Sequence, residues 1–66
     1  MQLVVNGGAR DVADGTTMPA LLESLGLQVG SVVVEHNGIA LLRSEVRAAV
    51  LAEGDRIELV RAVAGG

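Results

Sequence analysis

Cysteine, lysine and aromatic residues are all absent from this 66-residue chain. Without cysteine its side chains offer no disulfide, zinc knuckle or catalytic thiol. Without Phe, Trp or Tyr there is no platform on which RNA bases or single strands would stack. One histidine and no cysteine leave no plausible transition-metal site. We therefore expect no metal and no cofactor bound by the chain itself.

Basic residues and long apolar runs are also scarce. Five basic residues against eight acidic ones give a net charge of −3, with a pI near 4.8, which disfavours nucleic acid as a partner. No apolar run approaches the roughly 20 residues that span a bilayer. The segment Met1–Asn6 has neither the basic region nor the apolar stretch of a signal peptide. We expect a cytoplasmic domain, without a membrane partner, too small to enclose an enzyme's active site.

What is present is a strand-rich pattern with one clear helix. A strand around Leu3–Val5 runs through Asn6-Gly7-Gly8 into a second strand over Ala9–Ala13. A helix follows, with Thr16 or Thr17 as its N-cap, Pro19 in its first turn and Gly26 at its C′ position. The later predicted elements are a strand over Ser31–His36, a short strand over Ile39–Leu42, an irregular or 3₁₀-like turn over Ser44–Val50 and a strand over Arg56–Arg61.

This order predicts an α+β domain with a mixed sheet of four to five strands and one main helix on one face. The predicted core consists of Met18, Leu21, Leu22 and Leu25 from the helix, with Leu3, Val5, Val32, Val34, Ile57 and Leu59 from the sheet. The period of two leaves Val4, Val33, Val60 and Ala62 on the other face of the sheet. Those residues are either scattered exposed apolar groups or a docking patch.

Searches for catalytic motifs find nothing. There is no nucleophile elbow, and Gly7-Gly8 lacks the lysine and spacing of a phosphate loop. His36 lies on the inward face of its strand and is interpreted as a half-buried structural histidine. The acidic pairs Asp11/Asp14 and Glu53/Asp55 lie in predicted turns, where we expect solvated carboxylates. Catalytic residues are therefore not expected in this chain.

The sequence finishes on Gly65-Gly66, and chance accounts for two such glycines with a probability of about 2% at this glycine content. A terminal carboxylate is ionised and a poor electrophile, so it reacts only after activation, for example as an adenylate made from ATP. The activating site must exclude water, and glycines without side chains can enter a narrow channel. Residues 61–66 reach about 20 Å when extended.

The chain resembles the ThiS family of ubiquitin-like, β-grasp sulfur carriers over its whole length. The resemblance rests on the order and spacing of the following segments: Val4-Val5-Asn6-Gly7, Gly15-Thr16-Thr17, Glu35-His36-Asn37-Gly38, Arg43-Ser44-Glu45, Gly54-Asp55-Arg56-Ile57-Glu58 and Val63-Ala64-Gly65-Gly66. Leu42, Val46 and His36 depart from the family, which often has Pro, Trp and an apolar residue there. The resemblance implies a β-grasp domain over residues 1–62 and a flexible C-terminal tail over residues 63–66.

The resemblance also implies a mechanism. A ThiF-like enzyme would adenylate Gly66 with ATP, and sulfur from a cysteine desulfurase persulfide would convert Gly66 to a thiocarboxylate. Thiazole synthase, a ThiG-like enzyme, would dock the carrier and take the sulfur for thiamine biosynthesis. Gly65, Ala64 and Val63 would thread the partner's active site. The carrier would be a monomer when free and would perform no catalysis.

We interpret Val4, Val60, Arg61 and Ala62 as the partner-docking residues. Arg61 either pairs with an acidic group of the partner or is simply solvated, and the sequence leaves both open. Four other functions also remain open: the MoaD-like small subunit of molybdopterin synthase, a sulfur carrier for tRNA thiolation or cysteine synthesis, a protein modifier joined through Gly66, and a β-grasp adaptor with an inert tail.

Overall fold

Two Asn-Gly pairs form the tight turns of the sheet. The computed structural model describes residues 1–61. Asn6 and Gly7 have φ of 49° and 81°, and Asn37 and Gly38 have φ of 52° and 84°. Positive φ at both central residues is the signature of the type I′ turn, whose twist matches that of antiparallel strands. The first turn joins β1 (Gln2–Val5) to β2 (Gly8–Asp11), and the second joins β3 (Val32–His36) to β4 (Ile39–Ala40).

The sheet has five strands in the order β2-β1-β5-β3-β4, with β5 (Arg56–Arg61) at its centre. β5 runs parallel to β1 and antiparallel to β3, and the two hairpins supply the outer strands. Two helices, α1 (Met18–Ser24) and α2 (Arg43–Ala48), complete the described chain. The predicted mixed sheet with one main helix is confirmed, and a second helix is added to it.

The ends of α1 follow from its sequence. Thr17 is the N-cap, and its hydroxyl accepts a hydrogen bond of 3.2 Å from the backbone N–H of Ala20. At the other end Gly26 adopts φ +73° and its N–H donates to the carbonyl of Glu23, while the N–H of Leu27 donates to the carbonyl of Leu22. This pair of bonds is the Schellman motif, which satisfies carbonyls left free at a helix end.

The prediction of an irregular turn over Ser44–Val50 is wrong, because the chain forms the α-helix α2 there. The carboxylate of Glu45 accepts a 2.7 Å bond from the N–H of Leu42, the N-cap residue. The N–H of Val46 donates to the carbonyl of Leu42, an i→i−4 helical bond, and the Val46 side chain is buried. A helix with one buried residue shows no 3.6-residue periodicity, so the sequence pattern could not reveal it.

The core lies between the helices and the inner face of the sheet. Its buried members are Leu3, Met18, Leu21, Leu22, Val32, Val34, Val46, Leu51 and Ile57, and the predicted Val5, Leu25 and Leu59 are partly buried against them. All ten predicted core residues are therefore confirmed as core or core-packed. Val46 and Leu51 are additions, brought in by α2 and by the loop that follows it.

The bounds of β2, β3 and β4 differ from prediction. β2 begins at Gly8 and ends at Asp11, and β4 ends at Ala40, because Leu42 is already the N-cap of α2. β3 begins at Val32 and not at Ser31, whose hydroxyl donates to the carbonyl of Gln28. The boundary predicted between residues 62 and 63, and the tail over 63–66, lie outside the described residues.

Candidate functional site

The central strand β5 carries the chain to residue 61, the last described residue. β3 pairs with β5 as far as Arg61, whereas the pairing of β1 with β5 stops at Ile57, so the last residues of β5 have a strand neighbour on one side only. The predicted modification site Gly66, the tail residues Gly65, Ala64 and Val63, and the docking residue Ala62 all lie outside the described residues. The described part of the predicted site is therefore the surface around the end of β5.

Among residues 1–61, no helix packs on one face of the sheet. We call it the open sheet face and define it by Val4, Val33, Glu35, Arg56, Glu58 and Val60, which alternate with inward-facing residues along their strands. Val60 pairs directly with Val33, and the two side chains are 61% and 49% exposed. Cross-strand partners on one face are neighbours, so these valines form an exposed apolar pair next to the end of β5.

The structure does not bring all the predicted docking residues together. Val4 lies on the open sheet face but pairs with Arg56, four residues before Val60 on β5, which is about 13 Å away along the strand. Arg61 pairs with the buried Val32 and so lies on the opposite face of the sheet from Val60. Val33, the direct neighbour of Val60, was predicted on the same face and in the possible docking patch. It was left out of the partner-docking residues because strand register is not visible in the local sequence.

A groove lies on the inner side of the sheet, at the end where β5 finishes. Arg61 lines it together with Leu25 and Leu27, which follow α1, and with Arg10 of β2. Its volume is about 420 Å³, and its polar lining residues are Asn6 and the two arginines. The end of β5 thus lies between this groove on the inner side of the sheet and the Val33–Val60 pair on the open sheet face.

Asp55, directly before β5, is the best-connected polar residue of the described chain. Its carboxylate lies 2.8 Å from Nε2 of His36, and it accepts bonds from Nδ2 of Asn37 at 3.0 Å and from the N–H of Ala52 at 2.8 Å. Burial opposes ionisation, but the bonds from Asn37, His36 and Ala52 outweigh it and hold the pKa of Asp55 below its usual value.

This network settles two predictions about polar residues. His36 is half-buried and bonded to Asp55, so its interpretation as a structural histidine is confirmed. The expectation of a solvated carboxylate is wrong for Asp55, whose side chain is only 13% exposed. Asp14 is 93% exposed and lies 3.1 Å from the N-terminal ammonium of Met1. The network fixes the start of β5 to the β3–β4 turn.

Within residues 1–61 there is no group of three or more His, Asp or Glu side chains that would hold a metal ion. In the same residues no helix is long and apolar enough to cross a membrane.

Comparison with known proteins decides the family. The sequence profile of the ThiS family matches residues 3–66. This chain belongs to the ThiS family. A crystal structure of a thiamine biosynthesis protein, ThiS from Geobacter metallireducens, is 35% identical and superposes with a TM-score of 0.84, covering all of both chains. A solution structure of a thiamine biosynthesis protein from the same organism is 33% identical with a TM-score of 0.78, covering all of this chain and 88% of the other.

Two curated relatives of this ThiS-family chain are much longer proteins. A thiazole synthase from Magnetococcus marinus is 38% identical over all 66 residues, and one from Paramagnetospirillum magneticum is 35% identical over the same length. In both cases the match covers 20% of the relative, so this chain spans about a fifth of their length. The ThiS-family resemblance and the β-grasp, ubiquitin-like fold expected from it are confirmed by these findings together.

Proposed function

We propose that this chain is the sulfur carrier for thiazole formation in thiamine biosynthesis, with Gly66 as the residue that carries sulfur. The observation that supports this most is the full-length match in sequence and fold to a ThiS thiamine biosynthesis protein. The absence of cysteine agrees with sulfur held on Gly66, because the chain has no side-chain thiol on which to hold it.

The proposed chemistry takes place on the carboxylate of Gly66, within partner enzymes. A ThiF-like enzyme binds ATP, and a carboxylate oxygen attacks the α-phosphorus to form an adenylate and release pyrophosphate. The terminal sulfur of a persulfide, supplied through a cysteine desulfurase, attacks the acyl carbon and displaces AMP. A second thiol then cleaves the sulfur–sulfur bond, which leaves a thiocarboxylate on Gly66 and a disulfide on the partner side.

In this proposal the carrier performs no catalysis. No described residue combines a nucleophile with a base in an enclosed space, and the best polar network, around Asp55, is a structural link between strands. The proposed contribution of the chain is to be bound by the partner enzymes and to supply Gly66 as the residue on which they act. A carrier that is monomeric when free and cytoplasmic suits exchange between two enzymes, and both properties belong to this proposal.

Thiazole synthase is the proposed sulfur acceptor. Two proteins named thiazole synthase contain a segment that matches this whole chain, in polypeptides about five times as long. Joining two proteins in one chain keeps them at high effective concentration, which favours a functional pair. This observation favours the thiamine pathway over the molybdopterin alternative.

Docking is proposed to use the predicted residues Val4, Val60, Arg61 and Ala62. The exposure of Val60 beside the end of β5 supports its part in this surface. The position of Arg61 beside the inner groove supports a second partner contact, on the face of the sheet opposite Val60.

Removal of Gly66 tests the function. We expect the shortened chain to fold with an unchanged thermal midpoint, yet to support no thiazole formation above the carrier-free level with activating enzyme, thiazole synthase, ATP and a persulfide donor. Glu23→Gln on the solvent face of α1 is the matched control and should retain full activity. Thiazole formation by the shortened chain would contradict the proposal. Rescue of a molybdopterin-deficient strain in place of a thiazole auxotroph would move the assignment to the MoaD-like alternative.

A further inference from the structure

Asparagine followed by glycine occurs twice in this chain, and both pairs form type I′ turns of the sheet. Asn6-Gly7 joins β1 to β2, and Asn37-Gly38 joins β3 to β4. All four residues are exposed. An asparagine before glycine is chemically reactive, because glycine has no side chain to hinder attack of its backbone nitrogen on the asparagine amide. Both turns are therefore candidate sites of deamidation.

Neither turn shields its glycine nitrogen. A Cβ atom on Gly7 or Gly38 would meet no atom of residues 1–61 within 4 Å, apart from those of its chain neighbours, so water reaches both turns. In a two-residue hairpin turn the cross-turn bond is donated by the residue after the glycine, so the glycine N–H takes no part in it. Any difference in reactivity between the two turns must therefore come from the side-chain amides.

The two side-chain amides are held differently. Oδ1 of Asn6 accepts a 2.7 Å bond from the N–H of Leu59. Oδ1 of Asn37 accepts a similar bond of 2.8 Å from the N–H of Arg56. Asn37 has a further bond, because its Nδ2 donates to the carboxylate of Asp55 at 3.0 Å, whereas within residues 1–61 the Nδ2 of Asn6 donates none. The amide of Asn37 is thus held at both polar atoms and that of Asn6 at one.

Deamidation requires the asparagine amide to rotate out of its bound position. The glycine nitrogen attacks the side-chain carbonyl carbon and loses its proton to a solvent base, and Nδ2 is protonated and leaves as ammonia. Water opens the resulting succinimide at either carbonyl, which gives aspartate or isoaspartate, so one water is consumed for each ammonia released. At Asn37 the rotation must first break the charge-assisted bond to Asp55, and this raises the barrier.

We propose that Asn6-Gly7 is a site of spontaneous deamidation in the folded protein, and that the carboxylate of Asp55 protects Asn37-Gly38 from the same reaction. The aspartate products also differ in their surroundings. At position 6 the new carboxylate lies in the groove that Arg10 and Arg61 line. At position 37 it faces the carboxylate of Asp55, and like charges in contact destabilise a fold.

The substitutions that mimic the aspartate products measure this difference directly. Asn6→Asp keeps a side-chain oxygen to accept the bond from Leu59, so the thermal midpoint should stay within about 2 °C. Asn37→Asp replaces the bond to Asp55 by a repulsion, so the midpoint should fall by about 5 °C or more. A larger fall for Asn6→Asp than for Asn37→Asp would contradict the assigned role of Asp55.

The isoaspartate product should loosen the end of β5. It carries the backbone through the side-chain carbon, so the side-chain acceptor that holds the N–H of Leu59 is lost. Among residues 1–61 this is the last hydrogen bond from β1 and its turn to β5, because strand pairing with β1 stops at Ile57. Hydrogen exchange at the Leu59 N–H should therefore be faster in the modified protein than in the unmodified one.

The deciding experiment incubates the full chain at pH 8 and measures deamidation at both turns by mass. Cleavage after arginine separates the sites, since residues 1–10 contain Asn6 and residues 11–43 contain Asn37. Asn6 should react about tenfold or more faster than Asn37 in the folded protein. In concentrated urea the two rates should agree within about threefold, because both sites are then unprotected Asn-Gly pairs. Equal rates in the folded protein, or an unequal pair that persists in urea, would overturn the proposal.

Asp55→Ala tests the source of the protection. The rate at Asn37 should rise towards that at Asn6, while the rate at Asn6 in the same molecule should stay within about twofold. Asp11→Ala is the matched control, because the exposed Asp11 side chain makes no hydrogen bond within residues 1–61, and it should change neither rate. An unchanged rate at Asn37 in Asp55→Ala would overturn the role of this carboxylate. An equal rise at both sites would also overturn it, since the fold as a whole would then be the protection.

Discussion

At the scale of single residues, the sequence predicts the position of some side chains. It fails for others because their contacts are made across strands. His36 could be placed on an inward face from the alternation of its strand, and the structure confirms it there. The role of Asp55 could not be foreseen, because its partners His36 and Asn37 lie 19 and 18 residues away in the chain. Side chains that contact across strands depend on register, which the local pattern does not contain.

Asp55 should contribute a pH-dependent part of the stability. Its pKa is lower in the folded chain than in the unfolded one, so its stabilising effect is complete above the unfolded value near 4 and is lost as pH falls through the folded value. Asp55→Asn should therefore lower the free energy of unfolding by about 1–3 kcal/mol at pH 7. That difference should shrink steadily between pH 5 and pH 2.5, as measured by urea unfolding of both proteins.

Asp11→Asn is the control for this prediction. Asp11 is exposed and its side chain makes no hydrogen bond within the described residues, so its replacement should change stability by less than about 0.5 kcal/mol at every pH. A destabilisation by Asp55→Asn that stays constant down to pH 2.5 would show that the charge of Asp55 is not the stabilising property.

At the scale of elements, strong local signals predict most of the fold, and weak ones fail. Some features depend only on residues close together in the chain, namely the Asn-Gly turns, the Thr17 cap and Gly26. Each of them lies where a turn or a helix end was predicted. α2 was missed because its six residues bury one side chain, so neither length nor periodicity indicates a helix. The helix exists because Val46 is held in the core and Glu45 satisfies the N–H of Leu42.

Val46 should account for most of the stability that α2 brings. Its side chain is 4% exposed, so Val46→Ala removes two buried methyl groups and leaves a cavity. We expect a loss of about 1.5–3 kcal/mol by thermal or chemical unfolding, from which the better helix propensity of alanine subtracts at most about 0.6 kcal/mol. Val50→Ala is the matched control, since Val50 is 62% exposed and should change stability by less than about 0.5 kcal/mol. Equal losses in both variants would refute a special role for Val46.

At the scale of the whole molecule, the strand order determines which residues are neighbours on the surface that a partner could contact. The order β2-β1-β5-β3-β4 places the last strand at the centre, which puts Val33 beside Val60 and moves Val4 away from both. Sequence alternation was enough to assign all three valines to one face, but the strand order that separates them arises from long-range pairing. The sequence could therefore predict which face of the sheet and which terminal residues form the candidate site. It could not predict how the residues are arranged on that face.

The central claim is that Gly66 carries sulfur, and the most direct measurement is the C-terminal mass of the protein taken from its native cells. Exchange of one carboxylate oxygen for sulfur adds roughly 16 Da, and so does oxidation of Met1 or Met18, so the shift must be localised to a fragment that contains Gly66. The account predicts that this fragment carries the added mass and reacts with a thioacid-selective reagent. A Gly66 carboxylate that stays unmodified even with ATP, a sulfur donor and the activating enzyme would contradict it, and an isopeptide link at Gly66 would make the chain a protein modifier instead.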